Sequence, residues 1–109
     1  MGACHSNIFA ELPAALSAEV FETLATGSGI RIERIVSHAH SSPDGFWYDQ
    51  PQSEWLLLLA GAARLEFEGR EIIELKRGSY LNIPAHLRHR VLWTDPTQLT
   101  IWLAVHYAN

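Results

Sequence analysis

Residues 78–89 read GSYLNIPAHLRH, and this stretch decides the fold. Gly78 predicts a turn, the apolar residues after it predict a short strand, and Pro84 predicts the end of that strand. His86 and His89 then follow, three residues apart. The stretch therefore predicts a turn, a strand and a polar site close to one another.

Upstream, three more side chains of metal-binding type lie near predicted strand ends. His38 and His40 are separated by one residue, and Glu54 opens an apolar strand. Imidazoles and a carboxylate delivered from separate strands suit a divalent ion such as Fe, Mn, Ni or Zn. The sequence therefore predicts a metal site inside a barrel, formed by His38, His40, Glu54 and His89.

Length and composition predict one cytoplasmic domain. The chain has 109 residues, of which 48% are hydrophobic, which is enough for a core without a disulfide. The net charge of -4, with both signs mixed along the chain, argues against nucleic acid as a partner. Cys4 is the single cysteine, which favours a reducing compartment. No apolar run approaches the ~18 residues of a membrane span, so no membrane partner is expected.

The apolar pattern predicts many short strands joined by turns, and no long helix. Residues 1–16 are predicted to form an N-terminal arm and residues 17–109 a single barrel domain. Residues 19–25 also fit one helical face, but the glycines that follow favour a hairpin with the strand at residues 30–37. The expected fold class is all-β, an antiparallel jelly roll.

A long aromatic loop, residues 41–53, connects the second predicted strand to the third. Loops of this length are uncommon in small domains and are usually functional. Trp47 and Tyr48 are therefore predicted to form the wall or lid of a ligand pocket.

Alternation along the strands predicts which polar side chains face inward. Arg34 shares a predicted inward face with His38, where its guanidinium would hold a substrate carboxylate, although a β-bulge would turn it outward. His89 shares a predicted inward face with Trp93. Both Arg34 and Trp93 are therefore candidates for contact with a bound molecule.

Glu54 lies on an apolar face of its strand, so it is expected to be buried. A buried carboxylate must be paired, protonated or bound to a metal. The opposite face carries Trp55, Leu57 and Leu59. A strand that is apolar on both faces in so small a domain predicts a partner subunit, most simply in a two-fold homodimer.

The spacing of Gly78, Pro84 and His89 resembles the second sequence motif of the cupins. The spacing of Glu54 and Gly61 resembles the end of the first cupin motif, and the short segment between the two motifs resembles that of small single-domain cupins. This resemblance covers residues 30–107.

The resemblance is incomplete in both motifs. His86 stands where the second motif has a glycine, which puts His86 at the rim with a supporting role, and Trp93 stands where it has an asparagine. The first motif has His-x-His three or four residues before its glutamate, whereas thirteen residues separate His40 from Glu54.

Two arrangements therefore remain open for the first motif. Either the connecting hairpin is extended and His38 and His40 are ligands, or Tyr48 and Gln50 occupy those positions. The extended hairpin is favoured because His38 and His40 end a well-formed strand. Gln50 would then orient a bound water or complete the coordination sphere.

The cupin resemblance implies a mononuclear metal enzyme that acts on a small polar or anionic metabolite. Fe or Mn would support an oxygenase, and Zn or Ni an isomerase. The alternative is a non-catalytic dimeric module that binds a small molecule, with a structural metal or none. The fold alone does not choose between them.

Overall fold

The computed structural model describes residues 3–13 and 16–108, which contain eight β-strands and no helix that could cross a membrane. The strands are β1 (Val20–Gly27), β2 (Ile30–Ser37), β3 (Ser53–Ala60), β4 (Ala62–Phe67), β5 (Ile72–Lys76), β6 (Tyr80–Ile83), β7 (His89–Thr94) and β8 (Thr100–Tyr107). The predicted first hairpin is confirmed, because β1 pairs antiparallel with β2.

The strands form two antiparallel sheets. One has the order β1-β2-β8-β3-β6 and the other the order β5-β4-β7. Both sheets contribute to one buried cluster, in which Leu58 and Trp102 of the first sheet lie with Leu65 and Val91 of the second. The prediction of an all-β antiparallel jelly roll is confirmed.

Gly61 carries the chain from β3 in the first sheet to β4 in the second. Its φ is 86°, a conformation that only glycine adopts readily. A Cβ at this position would lie 2.6 Å from the Cα of Thr100. The turn lies so close to the start of β8, the neighbour of β3 in the first sheet, that only glycine fits.

The inward face of β2 is the opposite of the predicted one. Glu33 and Ile35 face the interior between the sheets, and Arg34 faces away from it. Val36 is nevertheless 1% exposed, so apolar residues are buried on both faces of this strand. The apolar pattern therefore did not distinguish the two faces.

Arg34 is buried beneath the N-terminal segment, residues 3–13. Its Nη1 donates hydrogen bonds to the carbonyl oxygens of Ile8 and Ala10, at 3.0 and 2.6 Å, and its Nη2 lies 2.8 Å from a carboxylate oxygen of Glu22. This segment covers the outer face of β2. The domain boundary at residues 16–17 stays a prediction, since residues 14 and 15 lie outside the described part of the chain.

Trp93 also points away from the interior. The register between β4 and β7 shifts after the Arg64–Trp93 pair, so that Leu65 pairs with Val91. This bulge breaks the alternation that would have put Trp93 on the side of His89. The guanidinium of Arg64 lies 4.8 Å from the centre of the Trp93 ring instead.

Candidate functional site

A cavity of about 60 Å³ lies between the two sheets. Strands of both sheets, the aromatic loop and the segment before β1 supply its walls. Its polar lining consists of Glu19, Glu33, Tyr48, Gln50, Glu54, His89 and His106, and its apolar lining of Phe21, Ile35, Leu56, Leu65, Val91 and Trp102. Polar groups thus converge on a largely apolar recess, which is the usual form of a small-molecule site.

Glu54 lies at the centre of the polar lining and is 6% exposed. Its Oε1 is 3.7 Å from Nε2 of His89, and its Oε2 is 3.9 Å from Nε2 of His106. Both distances are too long for hydrogen bonds and leave room between the carboxylate and each ring. The predicted burial of Glu54 among apolar residues is confirmed.

His89 presents a defined nitrogen to this space. Its Nδ1 lies 2.9 Å from the carbonyl oxygen of Leu87, which accepts a hydrogen bond from the ring N–H. In the neutral ring, Nε2 is then unprotonated and faces Glu54. An imidazole fixed in this way through its other nitrogen is in the form that binds metals or accepts protons.

His106 and Glu33 form a second buried pair in the cavity. Nε2 of His106 lies 2.8 Å from Oε1 of Glu33, and the two residues are 3% and 7% exposed. The sequence reasoning missed both residues. His106 lies on the same face of β8 as the buried Trp102, which was the available signal, and Glu33 was assigned to the wrong face of β2.

Tyr48 brings the aromatic loop to the cavity. The backbones of Tyr48 and His89 exchange two hydrogen bonds, and their rings stack with centroids 5.4 Å apart. Burial, together with the carboxylates of Glu19, Glu54 and Glu33, raises the pKa of the Tyr48 hydroxyl above its usual value. The hydroxyl therefore stays protonated and remains a hydrogen-bond donor at neutral pH.

Gln50 contributes a buried oxygen to the same lining. Its Oε1 has no hydrogen-bond partner, which is rare for a buried polar atom. His86 holds this part of the loop from outside, because its backbone N–H donates to the carbonyl oxygen of Gln50 and its Nδ1 lies 2.8 Å from Asp49. His86 has a φ of 64°, which accounts for the glycine that the motif has at this position.

His38 and His40 are not brought to the cavity. The backbone N–H of His38 donates to Nδ1 of His40, and Nε2 of His38 lies 3.1 Å from the carbonyl oxygen of Pro96. Neither histidine lines the cavity, where Tyr48 and Gln50 lie beside Glu54 and His89 instead. This placement agrees with the second arrangement left open by the sequence, not with the favoured one.

Trp47 is turned away from the cavity as well. The guanidiniums of Arg90 and Arg88 lie 4.9 and 5.9 Å from the centre of its ring. Tyr48, the next residue in the loop, is the one that forms the wall. Of the ten candidates, four therefore line the cavity: Tyr48, Gln50, Glu54 and His89.

The donor types in the cavity fit a divalent metal ion. Gln50 supplies an unpartnered amide oxygen, Glu54 a carboxylate, and His89 an imidazole nitrogen that faces the open space. Mixed nitrogen and oxygen donors of this kind bind Fe, Mn, Ni and Zn. Within residues 3–13 and 16–108, no three His, Cys, Asp or Glu side chains form such a group by themselves. Gln50 is therefore the candidate for a third donor.

No protein-family model and no curated protein matches the sequence. The structure resembles a crystal structure from Ralstonia eutropha, provisionally named a mannose-6-phosphate isomerase, with 44% sequence identity and a TM-score of 0.95 over 98% of this chain and all of that one. It also resembles a cupin superfamily protein from Desulfitobacterium hafniense, with 18% identity and a TM-score of 0.73 over 90% of this chain and 84% of that one.

An RmlC-like cupin from Methanocaldococcus jannaschii, which has a double-stranded β-helix fold, aligns with 18% identity and a TM-score of 0.69 over 90% of this chain and 87% of that one. The last two likenesses concern the fold alone. The relative at 44% identity, which the chain matches from end to end, extends the likeness to sequence. Together with the motif around His89, these findings identify the chain as a member of the cupin superfamily.

Proposed function

We propose that this cupin is an enzyme that isomerises a small polar metabolite in the cavity, with a divalent metal ion held by Gln50, Glu54 and His89. One observation carries the proposal: the buried carboxylate of Glu54 lies within 4 Å of two imidazoles, in a cavity also lined by Gln50, whose buried Oε1 has no hydrogen-bond partner. Such a concentration of buried polar groups is costly for stability and is typical of a functional site.

The bound metal would polarise a carbonyl or hydroxyl oxygen of the substrate. The protein's own groups would move the proton. Glu33 and His106 form a hydrogen-bonded pair at 2.8 Å, whereas Nε2 of His106 lies 3.9 Å from Glu54, beyond hydrogen-bond distance. A proton taken from the substrate by this pair would be shared between the imidazole and the Glu33 carboxylate, while Glu54 would hold the metal ion. The protonated Tyr48 hydroxyl would donate a hydrogen bond to a substrate oxygen.

Two findings favour isomerisation over oxygenation. The Ralstonia eutropha relative carries a provisional isomerase name at 44% identity. The cavity also combines a carboxylate, an imidazole pair and a hydroxyl donor, which are the groups that proton transfer next to a carbonyl requires. The substrate class implied is a small molecule with adjacent hydroxyl and carbonyl groups.

Metal content is the first test of the ligand set. Protein purified without chelators is assayed by plasma mass spectrometry as wild type, Glu54→Gln, His89→Ala and Gln50→Ala, each checked for folding by circular dichroism. We expect near-stoichiometric metal in the wild type and at least about tenfold loss in the folded variants, as for loss of a ligand or its support. The matched controls are His38→Ala and His40→Ala, which should retain the metal.

Equal metal content in all five variants and the wild type would refute the ligand set. Isomerase activity is tested separately by incubating neutral aldoses and ketoses in deuterated water and following proton exchange by NMR. Glu54→Gln should abolish the exchange. Absence of exchange with the metal-loaded wild type would count against the proposed reaction.

A non-catalytic binding module is the second candidate. It is favoured by the lack, among the described residues, of a converging group of three His, Cys, Asp or Glu side chains. Saturable ligand binding without any exchange of substrate protons would support it.

A cytoplasmic homodimer is part of the proposal. Every residue of β1 is exposed, including Val20 and Leu24, and β1 is an edge strand of the larger sheet. Trp55, Leu57 and Leu59 are only half-buried on the outer face of β3. Light scattering on protein eluting from a size-exclusion column should give twice the chain mass, and Leu24→Asp should lower the measured mass towards that of one chain.

The exposed thiol of Cys4 suits a reducing compartment.

A further inference from the structure

We propose that the cavity selects an uncharged polar molecule, such as a free hydroxyaldehyde or hydroxyketone, and discriminates against phosphate esters. This inference rests on the proposed function, because it specifies the substrate class of the same cavity. It also separates this cupin from the substrate named for its Ralstonia eutropha relative, which is a sugar phosphate.

The first argument is the charge of the lining. Glu19, Glu33 and Glu54 contribute three carboxylates, and no arginine or lysine is among the described residues that line the cavity. The side chains that bind phosphates in proteins carry a guanidinium or an ammonium group, and a helix N-terminus is a common backbone site for them. The described residues contain no α-helix, so a helix N-terminus is not available there either.

The second argument is the location of the cationic side chains. Three arginines on β4 or at β7 are paired with glutamates at 2.8–3.1 Å: Arg64 with Glu74, Arg88 with Glu68 and Arg90 with Glu66. Arg34 is bound to backbone carbonyls on the far side of β2.

Arg31 contacts one residue of the lining, with its Nε 3.5 Å from Oε2 of Glu33. Its side chain is 43% exposed and already faces that carboxylate. Apart from the proposed metal ion, which would hold the reacting oxygens, a phosphate would find no cationic side chain among the described lining residues and would approach the carboxylates of Glu19 and Glu33.

The remaining features match an uncharged polyhydroxylated compound. Carboxylate oxygens and Oε1 of Gln50 accept hydrogen bonds from hydroxyl groups, and the rings of Phe21, Tyr48 and Trp102 offer apolar surface for C–H groups. The volume of about 60 Å³ encloses only a small part of a ligand. The enclosed part would be the reacting end, next to the proposed metal ion, and a phosphate on the rest of the ligand would have no cationic side chain of the described lining to bind.

The test uses matched pairs of a neutral compound and its phosphate ester: D-glyceraldehyde with glyceraldehyde 3-phosphate, and D-mannose with mannose 6-phosphate. Dissociation constants are measured by calorimetry and saturation-transfer NMR on the metal-loaded protein. We expect the neutral member of at least one pair to bind at least about tenfold more tightly than its ester, a difference of about 1.4 kcal/mol.

A charge-removing variant tests the cause of this preference. Glu19→Gln keeps a side chain that can hydrogen-bond to Ser37, with which Glu19 Oε2 forms a 2.6 Å hydrogen bond. The Glu19→Gln variant should lower the ratio of the dissociation constant of the ester to that of the neutral compound by about threefold or more. Glu74→Gln, which makes the same charge change outside the cavity, should leave it unchanged.

Equal or tighter binding of the phosphate esters would overturn the proposal, and so would the absence of binding by every neutral member. Neither result would alter the metal content of the ligand variants. Failure of this inference is therefore distinguishable from failure of the proposed metal site.

Discussion

The ring of Tyr48 lies against the ring of His89, with centroids 5.4 Å apart and planes inclined by 25°. The two backbones also exchange hydrogen bonds of 2.7 and 3.2 Å, from Tyr48 N–H to His89 and from His89 N–H to Tyr48. A loop residue is thereby fixed to β7 as if it belonged to the sheet. The contact determines where both Tyr48 and Gln50 enter the cavity.

Replacing Tyr48 separates the role of its ring from that of its hydroxyl. Tyr48→Ala removes the stacking on His89 and the edge contact with Phe46, so we expect it to lower the free energy of unfolding by about 1–2 kcal/mol. Tyr48→Phe keeps both ring contacts and should stay within about 0.5 kcal/mol of the wild type. Urea unfolding measures both variants. Equal stability of Tyr48→Ala and the wild type would show that the stacking does not fix the loop.

Alkaline pH should destabilise the wild type through Tyr48. Burial and nearby carboxylates raise the pKa of its hydroxyl above the usual 10.0 in the folded protein. The stability contributed by the neutral phenol is therefore fully present below pH 10.0, the pKa of the unfolded chain, and is lost as the pH rises through the higher pKa of the folded protein. Tyr48→Phe should lose less stability than the wild type between about pH 9 and about pH 11. Identical pH dependence in urea unfolding would contradict this assignment.

The pair formed by His106 and Glu33 should be strongly coupled. Replacing either residue with alanine leaves its partner buried without its 2.8 Å contact. We expect each replacement to lower the free energy of unfolding by about 3–5 kcal/mol. In a double-mutant cycle the double variant should be less destabilised than the sum of the single ones, by about 1–3 kcal/mol.

The exposed pair of Arg64 and Glu74 is the matched control for this cycle. Their side chains are 47% and 76% exposed, so their coupling should stay below about 1 kcal/mol. Equal coupling in the two cycles would mean that burial does not strengthen the His106–Glu33 contact.

The stretch from Gly78 to His89 predicted the fold because backbone constraints and motif spacing act locally there. Gly78 has a φ of 90°, and β6 and β7 begin close to the expected residues. The burial of Glu54 was also predictable, because its strand is apolar on both sides of that residue. These properties depend on neighbours in the sequence.

The rest of the site depends on contacts between distant residues. A bulge opposite Arg64 turns Trp93 outward, and the N-terminal segment buries the face of β2 that was expected to face inward. His106 joins the site only because β8 pairs with β3, which puts it opposite Glu54. Strand alternation alone does not reveal bulges, covering segments or strand order.

Gly61 should tolerate substitution far less than other turn glycines. Gly61→Ala combines a φ of 86° with a Cβ 2.6 Å from the Cα of Thr100, so we expect it to cost about 3 kcal/mol or more. Gly69 has a φ of 69° but nothing within 4 Å of such a Cβ, so Gly69→Ala should cost only about 1–2 kcal/mol. Thermal and urea unfolding of the two variants give the comparison. Similar losses would show that the start of β8 can move away from Gly61 without penalty.

Arg34 should hold the N-terminal segment in place without contributing to ligand binding. Arg34→Ala removes the hydrogen bonds to the carbonyl oxygens of Ile8 and Ala10, so amide hydrogen exchange in residues 3–13 should accelerate by about tenfold or more. Metal content and ligand affinity should remain at wild-type values, since Arg34 faces away from the cavity. Arg64→Ala, which removes an exposed ion pair elsewhere, is the control and should leave exchange in the segment unchanged. Loss of ligand affinity in folded Arg34→Ala, with normal exchange in the segment, would return this guanidinium to the role in substrate binding that the sequence first predicted.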